Sequence, residues 1–523
     1  MRQTAPSSER SSRQRTRPAH HDLARLALIL ASLLVAIAGA SASQQGGDEV
    51  GRLVIRGGIL IDGTGTPARG PVDIVVEGGR ITAIVGADPV SVARGGGERP
   101  SGDRTIDAAG LYVLPGFIDM HAHIPSGRGQ RPFSPDYAYK LWLAHGVTTL
   151  RDAGTGAGLE ILSEHRRRSL ANEIVAPRIY PYVRWRGANM SIDEARARVR
   201  ELKAQGAAGI KLGGVYPDLL EAIADEADKN DLPIAQHNSH TQRGNATALD
   251  AARAGVTSIE HWYGVPETAI LDRQNFPNDY NQSDELARFR YAGRLWREVD
   301  PELMQQALEE LAAEGIAWDP TFSVYEANRD LSRARHLPWH ARYTLPALYG
   351  FWEPSEENHG SYHHEWTSED EAAWSQNFRI WMDSLRAFAK VGGKVITGSD
   401  AGSIYNLYGF GYIRELELLQ EAGFRPLQVI RAATSTSAEV LGEEDLGQVR
   451  VGFLADLIVV NGNPVKDLKV LFGDFGSGGI RYTIKGGAVF DAARLLREVG
   501  EMVTQARRRA TTEGEQRQDS KGK

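Results

Sequence analysis

The chain contains no cysteine. That rules out disulfides, thiolate metal ligands and a lipid carried on a cysteine. Stability must come from a hydrophobic core, and 523 residues suffice for one large domain and a small one. No apolar run reaches the roughly 20 residues that span a bilayer. Residues 26–40 come nearest. They follow a leader carrying Arg2, Arg10, Arg13, Arg15, Arg17 and Arg25, and they end in Ala40-Ser41-Ala42. This order predicts a cleaved signal peptide over residues 1–42, a periplasmic or secreted product, and no membrane contact after cleavage. An uncleaved anchor is the competing reading. Net charge is −7, with no basic stripe outside the two ends, so nucleic acid is not an expected partner. Fixed-period repeats are lacking too, which excludes a solenoid. The tail, residues 505–523, has almost no apolar side chains and is expected to be disordered.

What is present has a rhythm. Residues 50–114 hold short β-rich runs, at 53–55 and 59–61 around Gly57-Gly58 and at 72–77 and 81–85 around Gly78-Gly79. These are hairpin signals. A matching piece over 446–491 holds runs at 455–460 and 481–485. Neither piece can bury a sheet face alone, so the two chain ends are expected to share one small composite β-sandwich. Between them, residues 115–445 carry eight apolar strand-like runs, at 113–118, 147–150, 179–183, 209–212, 233–236, 256–259, 316–318 and 394–397. Helical stretches fall between most of them. One over 192–205 has Ser191 as N-cap and Glu194 three residues on. Another follows Asp300-Pro301, with Leu303, Met304, Ala307, Leu308 and Leu311 on one face. Eight β-then-α units predict an α/β fold, a (β/α)8 TIM barrel.

Active sites of such barrels gather at the C-terminal ends of the strands. The first run closes in Asp119-Met120-His121-Ala122-His123. In an extended strand residues two apart share a face, so His121 and His123 project together and can grip one metal ion. Lys211 lies in the fourth run. His237 follows the fifth, with His240 nearby, His261 follows the sixth and Asp400 the eighth. Each alone has an ordinary reading: a structural histidine, Asp400 as a helix N-cap, Lys211 in a salt bridge to Glu260 or Asp152. Taken jointly, four imidazoles, an amine and a carboxylate at one mouth make a metal site. Lys211 joins it if CO2 carbamylates the amine into a bridging anion.

These residues resemble the amidohydrolase superfamily, in particular its imidazolonepropionase-like and metal-dependent prolidase-like branch. The likeness runs from Leu53 to Phe490. It includes Pro115-Gly116-Phe117-Ile118-Asp119-Met120-His121-Ala122-His123, Gly146-Val147-Thr148-Thr149-Leu150-Arg151-Asp152-Ala153-Gly154, Ile210-Lys211, Ser258-Ile259-Glu260-His261, Thr397-Gly398-Ser399-Asp400 and Gly452-Phe453-Leu454-Ala455-Asp456-Leu457. The resemblance implies two divalent ions, usually zinc. His121, His123 and Asp400 would hold the buried ion, His237 and His261 the outer one, and a carbamylated Lys211 would bridge them with a hydroxide. It also implies that Asp400 takes the nucleophile's proton and passes it to the leaving nitrogen. Imidazole and carboxylate donors suit a borderline dication. Glu260 and Asp152 are candidates to orient the ligands.

Two features depart from that pattern. Relatives often show Gly-Gly-His after the third strand, where this chain reads Tyr182-Val183-Arg184-Trp185-Arg186-Gly187. Arg184 or Arg186 could meet a substrate carboxylate there, or stand solvated. The connections after His261 and Thr321 are longer than the usual handful of residues. Eight of the ten tryptophans lie between Trp262 and Trp381, and Tyr362, His363, His364 and Trp366 cluster. Such aromatic insertions, 264–316 and 322–390, suit a lid over an apolar substrate part, a packed flap or a homo-oligomer contact. The expected activity is hydrolysis of a C–N bond in a small-molecule amide or peptide, with N-acyl amino acids and small peptides foremost. One alternative is a one-metal cyclic-amide hydrolase or deaminase with an ordinary Lys211. The other is a noncatalytic binding protein, which would require lost ligands; none is lost.

Overall fold

The computed structural model describes residues 50–521 apart from 89, 91–93, 95–97, 128–132, 155, 188–189, 239–245, 271–279, 282, 357–359 and 474–477, with side chains to residue 512. The predicted leader, and His240, lie outside the described residues.

The middle of the chain forms a parallel sheet of eight strands whose spatial order follows the sequence. They are β6 (Phe117–Ala122), β7 (Val147–Ala153), β8 (Arg178–Arg184), β9 (Gly209–Leu212), β10 (Ile234–Gln236), β11 (Ser258–Glu260), β12 (Ala317–Asp319) and β13 (Lys394–Val395). Two backbone bonds, Met120 N–H to Thr397 O at 2.9 Å and Asp400 N–H to His121 O at 2.8 Å, bring the segment after β13 against β6. The sheet therefore curls until its outer strands meet, as a TIM-like barrel requires. Alternation along the strands sorts the apolar side chains. Ile118, Met120, Ala317 and Ile396 pack together inside, with Tyr180 against them. Phe117, Val147, Ile179, Ile210, Ile234 and Ile259 face the helices and join the main core.

The helices stop and start where their end residues allow. Ile192–Ala204 begins at the Ser191/Glu194 capping box, and Pro301–Ala313 begins at Asp300, whose side chain accepts from Glu302 N and Leu303 N. Thr247 and Asp250 form a second reciprocal cap before Ala248–Arg253. Each such cap satisfies N–H groups that the helix cannot and contributes about 1 kcal/mol.

A second sheet of eight strands joins the two chain ends. From the first end come β1 (Arg52–Leu60), β2 (Arg69–Glu77), β3 (Arg80–Gly86), β4 (Arg104–Asp107) and β5 (Tyr112–Pro115). From the second come β14 (Leu457–Asn461), β15 (Gly479–Lys485) and β16 (Ala488–Asp491). The seam is the antiparallel pair β5–β14. The predicted hairpin at Gly78-Gly79 forms, and a second turns at Gly486-Gly487, each with both glycines at positive φ, as a tight two-residue turn demands. The expected hairpin at Gly57-Gly58 does not. β1 runs through those glycines as one strand, and the ladder merely shifts register between Ile55 and Gly58. A glycine pair can mark an irregularity in a strand as well as a turn.

Two further expectations are corrected. The run 113–118 is two strands in two sheets. At the break, Gly116 donates to Asp456 O at 2.8 Å, and a side chain on Gly116 would collide with Thr148. The tail is not unstructured: Ala492–Lys521 is one helix. Its first half packs Ala492, Leu495, Leu496, Val499 and Val503 into the main core, and the Arg-, Gln- and Glu-rich remainder has the propensity to continue it.

The sheets are tied by polar contacts as well. Arg178 of β8 pairs with Asp456 at 2.8 Å. Buried Lys485 of β15 donates to Ser169 O and Oγ and to Ala176 O.

Candidate metal centre

Strand β6 delivers the first two histidines because Asp119 locks its end. That buried carboxylate accepts from His121 N, Trp142 Nε1, Ser399 N and Ser399 Oγ at 2.6–3.2 Å. Burial pushes its carboxyl up to about 6 while these donors pull the other way. Ser399 precedes Asp400, so the same contact fixes the end of the eighth strand. Gly398 is required there: a Cβ would land on His121 and Asp319.

The predicted ligands converge. His123 Nε2 lies 3.0 Å from Asp400 Oδ1, and His121 Nε2 lies 3.9 Å from the same oxygen. On the other side His261 Nε2 stands 2.9 Å from His237 Nδ1 and 3.9 Å from Asp400 Oδ2. The His121 ring lies 4.8 Å from the His261 ring. Lys211 Nζ reaches to 3.3 Å from His121 Nε2. Asp400 thus sits between two pairs of imidazoles, with its side chain 14 % exposed. It caps no helix: its φ is +49°, and the next helix begins only at Phe410.

Backbone strain marks the same ring of strand ends. Asp400, His261 and Thr321 are non-glycine residues at positive φ. Such conformations cost about 1–3 kcal/mol each and cluster where function needs them. His261 is held in place from both sides, since its N–H donates to Asp319 O and its carbonyl accepts from Trp318 Nε1. Its ring is turned by Thr321 Oγ1, 2.5 Å from Nδ1.

Beneath the histidines Arg151 is fully buried. It donates to Met120 O, Ser258 Oγ and Glu260 Oε1 at 2.5–2.8 Å and lies 3.4 Å from Asp319 Oδ2. Burial alone would raise the Glu260 carboxyl, but Arg151 and Lys211 hold it below the usual range. Its second oxygen stands 2.6 Å from His121 Nδ1, out of line for a hydrogen bond, and 3.5 Å from Lys211 Nζ. Glu260 thus lies between the His121 ring and the Lys211 amine. The salt-bridge alternative for Lys211 also has its partner here. Asp152 acts one step removed: it accepts from Ile124 N, just past His123, and from Gly154 N.

Electrostatics favour metal binding over protonation. Burial pushes the His121 and His261 imidazoles well below their ordinary values, so both keep a free lone pair. It brings the Lys211 amine down to about 8, against the pull of Glu260. A neutral amine is the form that reacts with CO2. Asp400 stays ionised: burial would raise it, but His121 and His123 bring it to about 2. A carboxylate between two pairs of imidazoles, with Thr321 at the Nδ1 of His261, is a donor set that suits a borderline dication.

The insertions close one side of this centre. Tyr263 lies edge-on to His237 and tilted to His261, with ring centroids 4.9 and 5.0 Å away, and Tyr325 meets His261 at 5.4 Å. The two tyrosine hydroxyls are 2.5 Å apart. Tyr362 stacks on Phe289, which stacks on Trp374. The tryptophans stand behind: Trp262, Trp374 and Trp381 are fully buried and pack on one another. The tryptophans thus pack against one another, and the tyrosines line the histidine side. His363 is no ligand. It is buried against Ser361 Oγ at 2.8 Å, and burial brings it down to about 4.

The model of the amidohydrolase family matches residues 112–274 and 381–490, more than half of the chain. The chain belongs to the amidohydrolase family. This amidohydrolase is 30% identical to the D-aminoacylase of Alcaligenes xylosoxydans xylosoxydans over 220 residues, 35% of this chain and 42% of that protein. It is 24% identical to the imidazolonepropionase of Symbiobacterium thermophilum over 443 residues, 78% of this chain and 90% of that one. It spans less than half the length of the first curated relatives it matches. Among solved structures, a Xaa-Pro dipeptidase with methionine bound in its active site shares the fold with a TM-score of 0.58 at 20% identity, covering 84% of this chain and all of that one.

The histidines, Lys211 and Asp400 of this amidohydrolase stood out in its sequence. Arg151, Ser399, Thr321 and the pinning role of Asp119 did not. Arg151 and Asp119 lie inside the recognised motifs, but neither residue type signals what it touches. Thr321 carries no sequence signal at all.

Proposed function

We propose that this protein hydrolyses C–N bonds in small amides or peptides, with N-acyl amino acids and small peptides as substrates and divalent metal, zinc by its donor set, as cofactor. The observation that carries this is the approach of one ligand atom each from His121, His123 and Asp400 within 4.8 Å of one another, beside the His237–His261 pair. His121, His123 and Asp400 would hold one ion and His237 and His261 a second, with Lys211 bridging as its carbamate. Bound there, the ions supply Lewis acidity to the scissile carbonyl and make water a nucleophile near neutral pH.

The chain's own residues do the rest. Asp400, partly open to the cavity and ionised, accepts the proton of the attacking water and delivers it to the leaving nitrogen. Thr321 keeps the Nδ1 side of His261 engaged, so that its Nε2 faces the centre, and Glu260 packs against the Nδ1 edge of His121. Tyr263 and Tyr325 exclude water from one wall and offer an apolar surface with hydroxyls at its edge. We read the curled sheet as a closed (β/α)8 barrel, the second sheet as folding over its own core into a sandwich, and residues 1–42 as an export signal.

Metal-loaded protein should turn over N-acyl amino acids or dipeptides and lose that activity on chelation. Turnover confined to lactams or amino-substituted heterocycles would favour the second reading, a one-metal cyclic-amide hydrolase or deaminase. That reading is supported by the contact of an ordinary Lys211 amine with Glu260.

A further inference from the structure

We propose that Arg184 receives the free carboxylate of the substrate, which narrows the substrate class to N-acyl amino acids and dipeptides with an unblocked C-terminus. The inference rests on the amide-hydrolase reading and deepens it. Arg184 is the last residue of β8 and pairs with Lys211 across the β8–β9 ladder. Paired residues of adjacent parallel strands point to the same face. Lys211 points inward, to His121. Period two along β8 agrees. Tyr180 packs on the inner apolar cluster, and the Tyr182 ring lies under the Arg151 guanidinium at 5.3 Å, so Arg184 is the next inward position toward the C-terminal mouth.

There its side chain is exposed, and it makes no hydrogen bond or ion pair among the described residues. This sets it apart from Arg151, one strand away, whose donors are engaged. A guanidinium standing beside Lys211, on a stem of similar length, lies within a short molecule's reach of a carbonyl at the centre. Its planar fork matches a carboxylate bidentately. Across the ring, three and four strands away, Tyr263 and Tyr325 line the wall after β11 and β12. The substrate would lie across the mouth, its carboxylate toward β8 and its apolar part toward the tyrosines. Arg186 shares the parity of Arg184 but lies beyond the end of β8 and its pairing.

The test compares an N-acyl amino acid with its carboxamide on metal-loaded wild-type, Arg184→Gln, Arg184→Lys and Arg186→Gln proteins. One charge-assisted pair amounts to about ten- to hundred-fold in kcat/KM. Wild type should prefer the carboxylate by that factor. Arg184→Gln should lose the preference mainly through KM, and Arg184→Lys should recover part of it. Equal rates on both forms in wild type, or a preference abolished by Arg186→Gln and kept by Arg184→Gln, overturn the assignment. No turnover of either form by wild type overturns the hydrolase reading, and this inference with it.

Discussion

Asp400 and Thr321 are the single residues on which the chemistry bears hardest. Asp400 lies between the two histidine pairs and is the only carboxylate in contact with both among the described residues. Asp400→Asn should lower kcat by about 10²–10⁴-fold, the usual worth of a positioned acid–base group, while circular dichroism and melting temperature stay those of wild type. Retained turnover would remove Asp400 from the proton path. Thr321 touches the centre only through His261 Nδ1. Thr321→Val, similar in shape but without the hydroxyl, should weaken metal affinity about 10- to 100-fold, read by competition with a chelator. An unchanged affinity would make that hydrogen bond incidental.

At the scale of elements, the helix Phe322–Arg329 has no cap of its own, since Thr321 makes no side-chain cap bond. Glu415, from the helix Phe410–Glu421, supplies it from outside by accepting from Phe322 N and Ser323 N at 2.9 and 2.6 Å. Burial pushes the Glu415 carboxyl up to about 8, against the pull of those two donors. The folded protein therefore holds a proton that the unfolded chain releases near 4.5. This contribution to stability is full below about 4.5 and is lost as pH rises through about 8. Glu415→Gln, which cannot titrate, should fall less in melting temperature between pH 5 and 9 than wild type does. Parallel slopes would contradict the assignment. No pattern in the sequence announces such a cap, because donor and acceptor are some ninety residues apart. Local caps were legible, as at Ser191 and Asp300, because their partners lie within four residues. Strands were legible by their apolar runs. The break at Gly116 was not, since only the packing of Thr148 against it reveals a second sheet.

At the scale of the whole molecule, the two chain ends and the curled sheet form one interlocked body rather than separable pieces. Residues 46–523 cluster as one compact unit. β5 and β6 are consecutive strands of different sheets, and β14, Asp456 and Lys485 bind the far end of the chain to them. Calorimetry on residues 46–523 should therefore give one unfolding transition, and removing residues after 478 should destabilise the curled sheet as well. Two resolved transitions, with the metal lost in only one, would contradict this. The convergence of distant histidines was anticipated because strand order in such a sheet follows the chain. The arrangement of the insertions was not, because aromatic residues alone do not say which of them face the histidines and which face each other.

The most direct test counts divalent ions per chain in protein loaded with zinc and freed of excess metal. Wild type should retain two, His237→Asn/His261→Asn should retain one, and His121→Asn/His123→Asn should lose hydrolysis with the buried ion. Wild-type protein that holds no ion, or variants that hold as many as wild type, would contradict the account.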